Sequence, residues 1–194
     1  MSFRKENKIR LSYSDLALLK RELIQKGMEN LFPPRKINSI YFDSEDLAMF
    51  HDSEEGVLPR KKIRVRWYEE QKFTKEIKIS SIEGRYKTSE VLGNVSKISD
   101  IRKMKLFDEF YGKISPSLKV SYIREYYLLR NMRLTFDSNI KYLSLREQTI
   151  HEKIDLECVM EIKTNIDYGE DLISRSIYSQ NSRFSKYCRG LLQI

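Results

Sequence analysis

The segment KKIRVRWY, residues 61–68, constrains the fold more than any other part of the sequence. Its cations and its apolar residues alternate: the cations are Lys62, Arg64 and Arg66, and the apolar residues are Ile63, Val65 and Trp67. Because side chains of a β-strand point alternately to opposite faces, the segment predicts a strand with one cationic face and one apolar face. The apolar face suits a core, and the cationic face then points either to water or into an enclosed interior.

Five further segments alternate in the same way, which indicates a sheet built from strands of this kind. They are RKENKIRL, FTKEIKI, LKVSYIREYYL, MRLTFD and ECVMEIK. Such strands form either an open sheet with one solvated face or a closed barrel with the charged faces turned inward. The alternation alone leaves both architectures open.

The charge balance of these faces has a consequence for the closed arrangement. Their carboxylates are Glu6, Glu76, Asp137 and Glu161, which are fewer than their lysines and arginines. Partly desolvated cations need neutralising partners, so the closed arrangement predicts a polyanionic ligand. Phosphate suits arginine because the planar guanidinium can bind two oxygens at once. The open arrangement predicts no particular ligand.

The net charge of +8 also favours anionic partners. The basic residues are distributed along the strands, and the sequence has no RNP-type or zinc-finger pattern, so we expect no specific nucleic-acid partner. No N-terminal signal pattern is present, and no apolar run approaches the ~18 residues of a membrane span. We therefore expect a cytoplasmic protein, with a membrane partner left open.

Helical patterns appear in four places, including the short segment DLISRSI, residues 171–177, and the chain as a whole reads as one domain, residues 1–194. Leucines recur at helical spacing between Ser12 and Gly27, apolar residues do so between Ser96 and Ile114, and the segment RFSKYCRGLLQI predicts a last helix that ends at Gly190. The helices are expected to pack on the apolar strand faces, giving an α+β fold.

Several catalytic motifs are missing from the sequence. It contains no GxxxxGK[ST], GxGxxG, GxSxG or HExxH pattern, so P-loop, dinucleotide, serine-hydrolase and zincin chemistry have no support. Carboxylates combined with arginine and lysine suit metal-assisted phosphoryl transfer, which needs positioning and charge neutralisation more than a protein nucleophile. Glu161, mid-strand beside Lys163, is the preferred metal ligand; its alternative role is to pair with a neighbouring arginine.

The order and spacing of eight segments resemble the VTC domain, the polyphosphate-polymerase domain of the vacuolar transporter chaperone complex and its bacterial relatives. The segments are RKENKIRL, INSIYFDSEDLAMF, KKIRVRWY, FTKEIKIS, SYIREYYL, MRLTFD, CVMEIKTN and RFSKYCRG. This family is part of the triphosphate tunnel superfamily, with the CYTH phosphatases as more distant relatives. The resemblance implies a closed antiparallel barrel that forms a tunnel, helices packed outside it, and a divalent metal, manganese or magnesium.

The resemblance also implies roles for individual residues. The residues that match the family's phosphate site are Lys8, Arg64, Arg66, Arg124 and Lys186, and Glu161 matches the metal-binding glutamate. Strand face and motif together add Lys78 and Arg133 as phosphate-binding residues, and strand face alone adds Arg10, Lys62 and Lys163. Arg183 stands where the terminal motif of the polymerases can carry lysine. Whether Glu6 and Glu76 join Glu161 at the metal stays open.

The chain departs from the family pattern in its first strand. Ile9 stands where relatives commonly have an aromatic residue, and only Glu6 and Lys8 match the ExExK pattern of the CYTH branch. The leading expectation is a metal-dependent polymerase that moves the γ-phosphate of ATP onto polyphosphate inside the tunnel. The alternatives are a CYTH-type hydrolase of triphosphate or polyphosphate, and a non-catalytic module that binds polyphosphate or a nucleotide.

Overall fold

A computed structural model describes residues 4–68, 72–146, 152–165 and 184–194. The strands are β1 (Arg4–Leu11), β2 (Glu29–Asp43), β3 (Arg60–Tyr68), β4 (Thr74–Ser81), β5 (Gly84–Val91), β6 (Leu106–Asp108), β7 (Gly112–Leu129), β8 (Met132–Ser144), β9 (Glu152–Ile154) and β10 (Cys158–Asn165). The helices are α1 (Tyr13–Gln25), α2 (Ala48–Glu55), α3 (Ile98–Lys103) and α4 (Lys186–Gln193).

The described strands are hydrogen-bonded in the order β1-β10-β8-β7-β2-β3-β4-β5, with β6 paired to β7 and β9 paired to β8. The order ends at β1 and β5, which are not paired with each other in the described ladder, so the prediction of a closed barrel is wrong for this part of the chain. The composition of β5 gives a reason. Its residues from Arg85 to Glu90 are all exposed, and apart from Tyr86 they are polar or charged on both faces. The strand therefore lacks an apolar face for a barrel wall.

The contacts of the chain divide it into two compact units, each assembled from separate stretches of sequence. The first unit comprises Met1–Arg35, Tyr122–Ile140 and Asp155–Phe184. The second unit comprises Lys36–Ser121, Lys141–Ile154 and Ser185–Ile194. Each unit has its own hydrophobic core and its own charged face.

The core of the first unit lies between α1 and the apolar sides of β1, β10 and β8. Ile9 pairs in register with Met160, and Met160 pairs with Phe136, so the three apolar side chains lie side by side on one face. Leu16 and Leu23 of α1 are buried against this face. The prediction that the first helix packs on the apolar strand face is therefore confirmed.

Local sequence sets both ends of α1. The Ser12 side chain accepts a hydrogen bond from the Asp15 backbone N–H at 3.0 Å, which caps the first turn. Gly27 follows the C-cap residue with φ +90°, a left-handed conformation that glycine adopts without steric cost. Both signals were readable in the sequence.

The core of the second unit contains the apolar residues of KKIRVRWY, as the alternation predicts. Ile63, Val65 and Trp67 are all buried, and Ile63 and Val65 pair in register with Phe42 and Ile40 of β2. Buried residues of α2 and α3 complete the cluster. The cations between these positions consequently share the opposite face of the sheet.

The prediction of a helix between Ser96 and Ile114 is correct for Ile98–Lys103 and wrong for the residues that follow. The helix α3 ends at Lys103, and residues 106–108 form β6, which turns back onto β7. The Asp108 carboxylate accepts hydrogen bonds from the backbone N–H groups of Phe110 and Tyr111 and so holds the turn. The apolar spacing that imitated a helix includes Phe107, which is 76% exposed.

The prediction that the last helix ends at Gly190 is wrong. The helix α4 continues to Gln193. A Cβ atom at residue 190 would lie 2.6 Å from side-chain carbons of both Leu118 and Tyr142. This glycine therefore permits close packing of the helix on the sheet and does not mark its end. None of the described helices is long and apolar enough to cross a membrane.

Replacing Trp67 with alanine tests the assignment of faces. Trp67 is 6% exposed, and its ring lies 5.5 Å from that of Phe73, so we expect the free energy of unfolding to fall by about 3 to 5 kcal/mol. Denaturant unfolding measures the loss, with Phe107→Ala as the exposed aromatic control. Equal stabilities of the two variants would show that Trp67 is not a core residue.

Candidate functional site

The charged face of the second unit carries a row of three lysines on adjacent strands. Lys62 of β3 pairs in register with Lys78 of β4, and Lys78 pairs with Lys87 of β5. We call these residues the lysine row. Like charges directly opposite one another on a sheet repel, so this row favours a bound anion.

Beside the lysine row, one buried carboxylate is shared by three cations. Glu76 is 5% exposed, and its Oε2 accepts from Arg64 Nε at 2.7 Å. The Arg66 Nη1 atom lies 3.8 Å from the same oxygen, and Lys87 pairs with the other carboxylate oxygen. One buried carboxylate is therefore shared by three cations.

The three cations determine the ionisation of Glu76. Burial raises the pKa of this carboxyl group, but the charges of Arg64 and Arg66 and the hydrogen bonds from Lys87 and Arg64 outweigh burial. The pKa of Glu76 consequently falls to about 2. The carboxylate stays ionised and fixes the Arg64 guanidinium in place.

Tyr41 is a residue of this face that the sequence reasoning missed. Its hydroxyl oxygen accepts a hydrogen bond from Arg64 Nη1 at 2.9 Å, and its ring lies 5.7 Å from the guanidinium carbon. Burial raises the pKa of the phenol, but Arg64, Arg66 and Lys186 together lower it to about 8. The alternation within INSIYFD could have found it, since Ser39, Tyr41 and Asp43 alternate with Ile40 and Phe42.

The N-terminal end of α4 packs on the charged face of the second unit. The Tyr187 ring stacks on Tyr41 with centroids 4.9 Å apart, and its hydroxyl donates to the buried Asp43 carboxylate. Lys62 Nζ donates to Ser185, the N-cap residue of α4, at 2.9 Å. The predicted Lys186 is the first residue of this helix, and its charge acts on Tyr41.

The charged face of the first unit is organised around Arg124. Its Nε and Nη2 atoms donate to the two oxygens of Asp137 at 2.6 and 2.7 Å, in the bidentate geometry that suits a guanidinium. Asp137 is fully buried, and Glu161 lies 3.5 Å from Arg124 Nη2. Glu161 thus has the arginine partner that was its alternative role.

Glu161 also has two lysines around it on the same face. Lys163 Nζ lies 3.2 Å from Glu161 and 3.4 Å from Glu6, so one ammonium group joins two carboxylates. Lys8 pairs in register with Glu161, and its Nζ donates to the Phe184 carbonyl at 3.1 Å. The structure therefore brings Lys8, Lys163 and Glu161 together.

Glu6 and Glu161 are the carboxylates of this face that suit a divalent metal. Both already approach one cation position, that of Lys163 Nζ, and Mg²⁺ or Mn²⁺ is commonly bound by one or two carboxylates together with substrate phosphates. In residues 4–68, 72–146, 152–165 and 184–194, no three His, Cys, Asp or Glu side chains form a metal-binding group. The donor set fits a metal that arrives with phosphate and does not form a cage made of protein alone.

The remaining predicted residues occupy different surroundings. Arg10 is paired with Glu157 at 2.6 Å at an exposed position, and the Arg133 guanidinium lies 5.6 Å from the Tyr126 ring centre. Arg183 and the helix predicted at residues 171–177 lie outside the described residues. The phosphate-binding roles of these arginines stay predictions.

Two buried hydroxyl groups on the charged faces also escaped the sequence reasoning. In the described part of the chain, Ser39 Oγ and Thr135 Oγ1 have no hydrogen-bond partner. Ser39 pairs in register with Arg66, and Thr135 pairs with Glu161. Each hydroxyl is therefore placed beside a predicted site residue, where it is able to donate to a bound oxyanion or water.

The sequence profile of the VTC domain family matches residues 3–194, so the chain belongs to this family. No match was found among curated proteins.

Three solved structures of low sequence identity share the fold. A candidate adenylyl cyclase from Hippeastrum, described as having a dominant triphosphatase activity, is 16% identical with a TM-score of 0.57, over 98% of this chain and 96% of that one. A candidate adenylate cyclase from Vibrio parahaemolyticus is 12% identical with a TM-score of 0.50, over 90% and 82%. A conserved hypothetical protein from Pyrococcus furiosus is 15% identical with a TM-score of 0.50, over 89% and 86%.

The lowered pKa of Tyr41 predicts that this tyrosine titrates ahead of Tyr187 and Tyr111. Burial raises the pKa of Tyr187 and Tyr111, whereas that of Tyr41 falls to about 8. A near-ultraviolet titration of the folded protein is expected to show one tyrosinate forming near pH 8, and Tyr41→Phe should remove this step. An unchanged titration curve in the variant would contradict the assignment.

The ionisation of Glu76 predicts a specific loss of stability in acid. Because its folded pKa of about 2 lies below the ordinary 4.5, ionised Glu76 stabilises the folded state above pH 4.5, and this stabilisation disappears as the pH falls to about 2. Its size is on the order of 3 kcal/mol. Urea unfolding of the parent protein and Glu76→Gln should therefore give stabilities that differ most near neutral pH and converge in acid. A difference independent of pH would refute the ion-pair role.

Proposed function

We propose that this protein is a metal-dependent phosphotransferase that moves the γ-phosphate of ATP onto a polyphosphate chain. The observation that carries the proposal is the grouping of cations on the charged face of the second unit. There, Glu76 is shared by Arg64, Arg66 and Lys87, and Lys78 pairs in register with two other lysines. Membership of the VTC domain family supports a ligand made of phosphates.

The spacing of these cations favours a ligand with several linked negative charges over a single anion. The lysine row extends across three adjacent strands, which lie about 5 Å apart in a sheet. A chain of phosphates would neutralise neighbouring cations at once. One carboxylate or one inorganic phosphate is too small to contact all three strands of the row at once.

The arginines would supply the positioning that phosphoryl transfer requires. Arg64 is fixed by Glu76 and Tyr41, and Arg124 is fixed by Asp137, so these guanidinium groups are oriented before a ligand arrives. Such fixed cations stabilise the charge that develops in a transition state without reorganising at that moment. Lysine side chains add charge with less directional control.

Glu161 and Glu6 would hold the divalent metal in this proposal, with Lys163 moving to pair with phosphate oxygens. When bound, the metal supplies charge neutralisation to the phosphates. The protein groups around it would keep their own roles: Arg124 holds a non-transferring phosphate oxygen, and Lys8 lies opposite Glu161.

Triphosphate hydrolysis is the second candidate function, and it differs only in the acceptor. Water would replace the end of the polyphosphate chain. The triphosphatase activity described for the Hippeastrum protein of similar fold favours this alternative. The cations that bind the phosphates would serve both reactions equally, since both need the same charge neutralisation.

Incubation of the protein with ATP and Mn²⁺ or Mg²⁺ separates the candidates. For a polymerase, we expect the product to be polyphosphate chains that a polyphosphate-specific phosphatase degrades. These chains should not form without the metal. Free phosphate without chains would favour hydrolysis. Binding of triphosphate without turnover under any metal would indicate a binding module.

Replacing Arg66 with alanine tests the role of the charged face. Glu76 keeps its closer contacts with Arg64 and Lys87, so we expect stability to change by less than about 1 kcal/mol. Turnover should fall on the order of 100-fold, because a fixed cation at the phosphates is lost.

The matched control for this test is Arg102→Ala, which removes an exposed arginine of α3. It should leave turnover unchanged. Equal effects of the two substitutions would mean that total charge matters and the position of Arg66 does not.

A further inference from the structure

We propose that an aromatic and arginine surface on the first unit binds the base of a nucleoside triphosphate. This surface, the stacking surface, consists of Phe32, Arg35, Tyr126 and Arg133. The inference rests on the proposed function and extends it by naming the part of the substrate that carries no phosphate.

The four side chains of the stacking surface form a continuous set of ring and guanidinium contacts. The rings of Phe32 and Tyr126 meet edge to face, with centroids 5.9 Å apart and planes at 83°. The Arg35 guanidinium carbon lies 5.7 Å from the Phe32 centroid and 5.8 Å from that of Tyr126. The Arg133 guanidinium carbon lies 5.6 Å from the Tyr126 centroid.

The outer part of this surface is open to solvent. Phe32 is 44% exposed, and Arg35 and Arg133 are exposed as well, whereas Tyr126 is 6% exposed and forms the floor. Pro33 and Pro34 lie between Phe32 and Arg35, and the fixed φ of proline limits the freedom of this part of β2. The exposed ring is therefore held on a stiff backbone and not on a flexible loop.

The stacking surface lies beside the candidate phosphate-binding residues of the same unit. Tyr126 is two residues from Arg124 on β7, so both side chains are on one face of the strand. Arg133 pairs in register with Lys163 of β10, which contacts Glu161 and Glu6. A nucleotide with its phosphates at these cations would have its base within reach of the rings.

The chemistry of the stacking surface favours a planar base over other occupants. Aromatic rings and guanidinium planes both stack on nucleobases, and such stacking tolerates any base because each has a π-face. Phe32 has no hydrogen-bonding group with which to read a base edge. We therefore expect ATP and GTP to bind with similar affinity. The affinity for inorganic triphosphate should not depend on the Phe32 ring.

Equilibrium binding of ATP, GTP and inorganic triphosphate, measured by calorimetry, tests the inference. Phe32→Ala should weaken ATP and GTP about five-fold or more, because base stacking is lost, and should change inorganic triphosphate by less than about two-fold. Phe32→Trp, which keeps a stacking ring, should retain nucleotide affinity. The matched control is Phe107→Ala, an exposed phenylalanine of the second unit, which should alter none of the three.

Equal weakening of nucleotides and inorganic triphosphate by Phe32→Ala would overturn the inference, as would no effect on any of them. The outcome is separable from that of the proposed function, since binding needs no turnover. If the parent protein makes polyphosphate chains but its nucleotide affinity does not change with Phe32→Ala, only the base site is refuted. If Phe32→Ala weakens nucleotide binding specifically but the parent protein makes no chains, the base site is supported and the polymerase activity is refuted.

Discussion

The interaction on which the charged face of the second unit depends is the sharing of Glu76 by three cations. Alternation in β3 and β4 places Arg64, Arg66 and Glu76 on one face while Ile63 and Ile77 are on the other. Burying the apolar side therefore forces the cations together, and Glu76 is the carboxylate that makes their proximity tolerable. Packing of the core and grouping of the cations around Glu76 thus follow from the same pattern of residues.

The same face connects the end of the chain to the candidate site. Tyr41 accepts from Arg64 on its hydroxyl and stacks on Tyr187 with its ring, and Tyr187 in turn donates to the buried Asp43. Packing of α4 on the sheet therefore contributes to the position of Arg64. It also brings the charge of Lys186 close enough to act on Tyr41. The close approach permitted by Gly190 belongs to this arrangement, since a side chain there would push the helix from the sheet. Stability of the terminal helix and orientation of a guanidinium are coupled through one aromatic pair.

Much of the local structure could be predicted from the sequence, because strand alternation and helix capping are short-range properties. The faces of β3 and β10 and both ends of α1 followed from residue patterns alone. The open ladder and the turn at Asp108 could not, since strand pairing and a side chain that binds backbone N–H groups depend on tertiary contacts. Tyr41 was missed because a tyrosine is as common in a core as in a site, and its role is set by Arg64 on the neighbouring strand. The charged strand faces indicated an anionic ligand and phosphoryl transfer, and family likeness supplied the expectation of ATP and polyphosphate as the substrates.

The most direct test of the central claim is a crystal structure of the protein with inorganic triphosphate. We expect phosphate oxygens within hydrogen-bonding distance of Arg66 and of the lysine row, with Glu76 still paired to Arg64. Triphosphate bound elsewhere, with Arg66 and the lysine row contacting only water and carboxylates, would contradict the proposal that this group of cations holds a chain of phosphates.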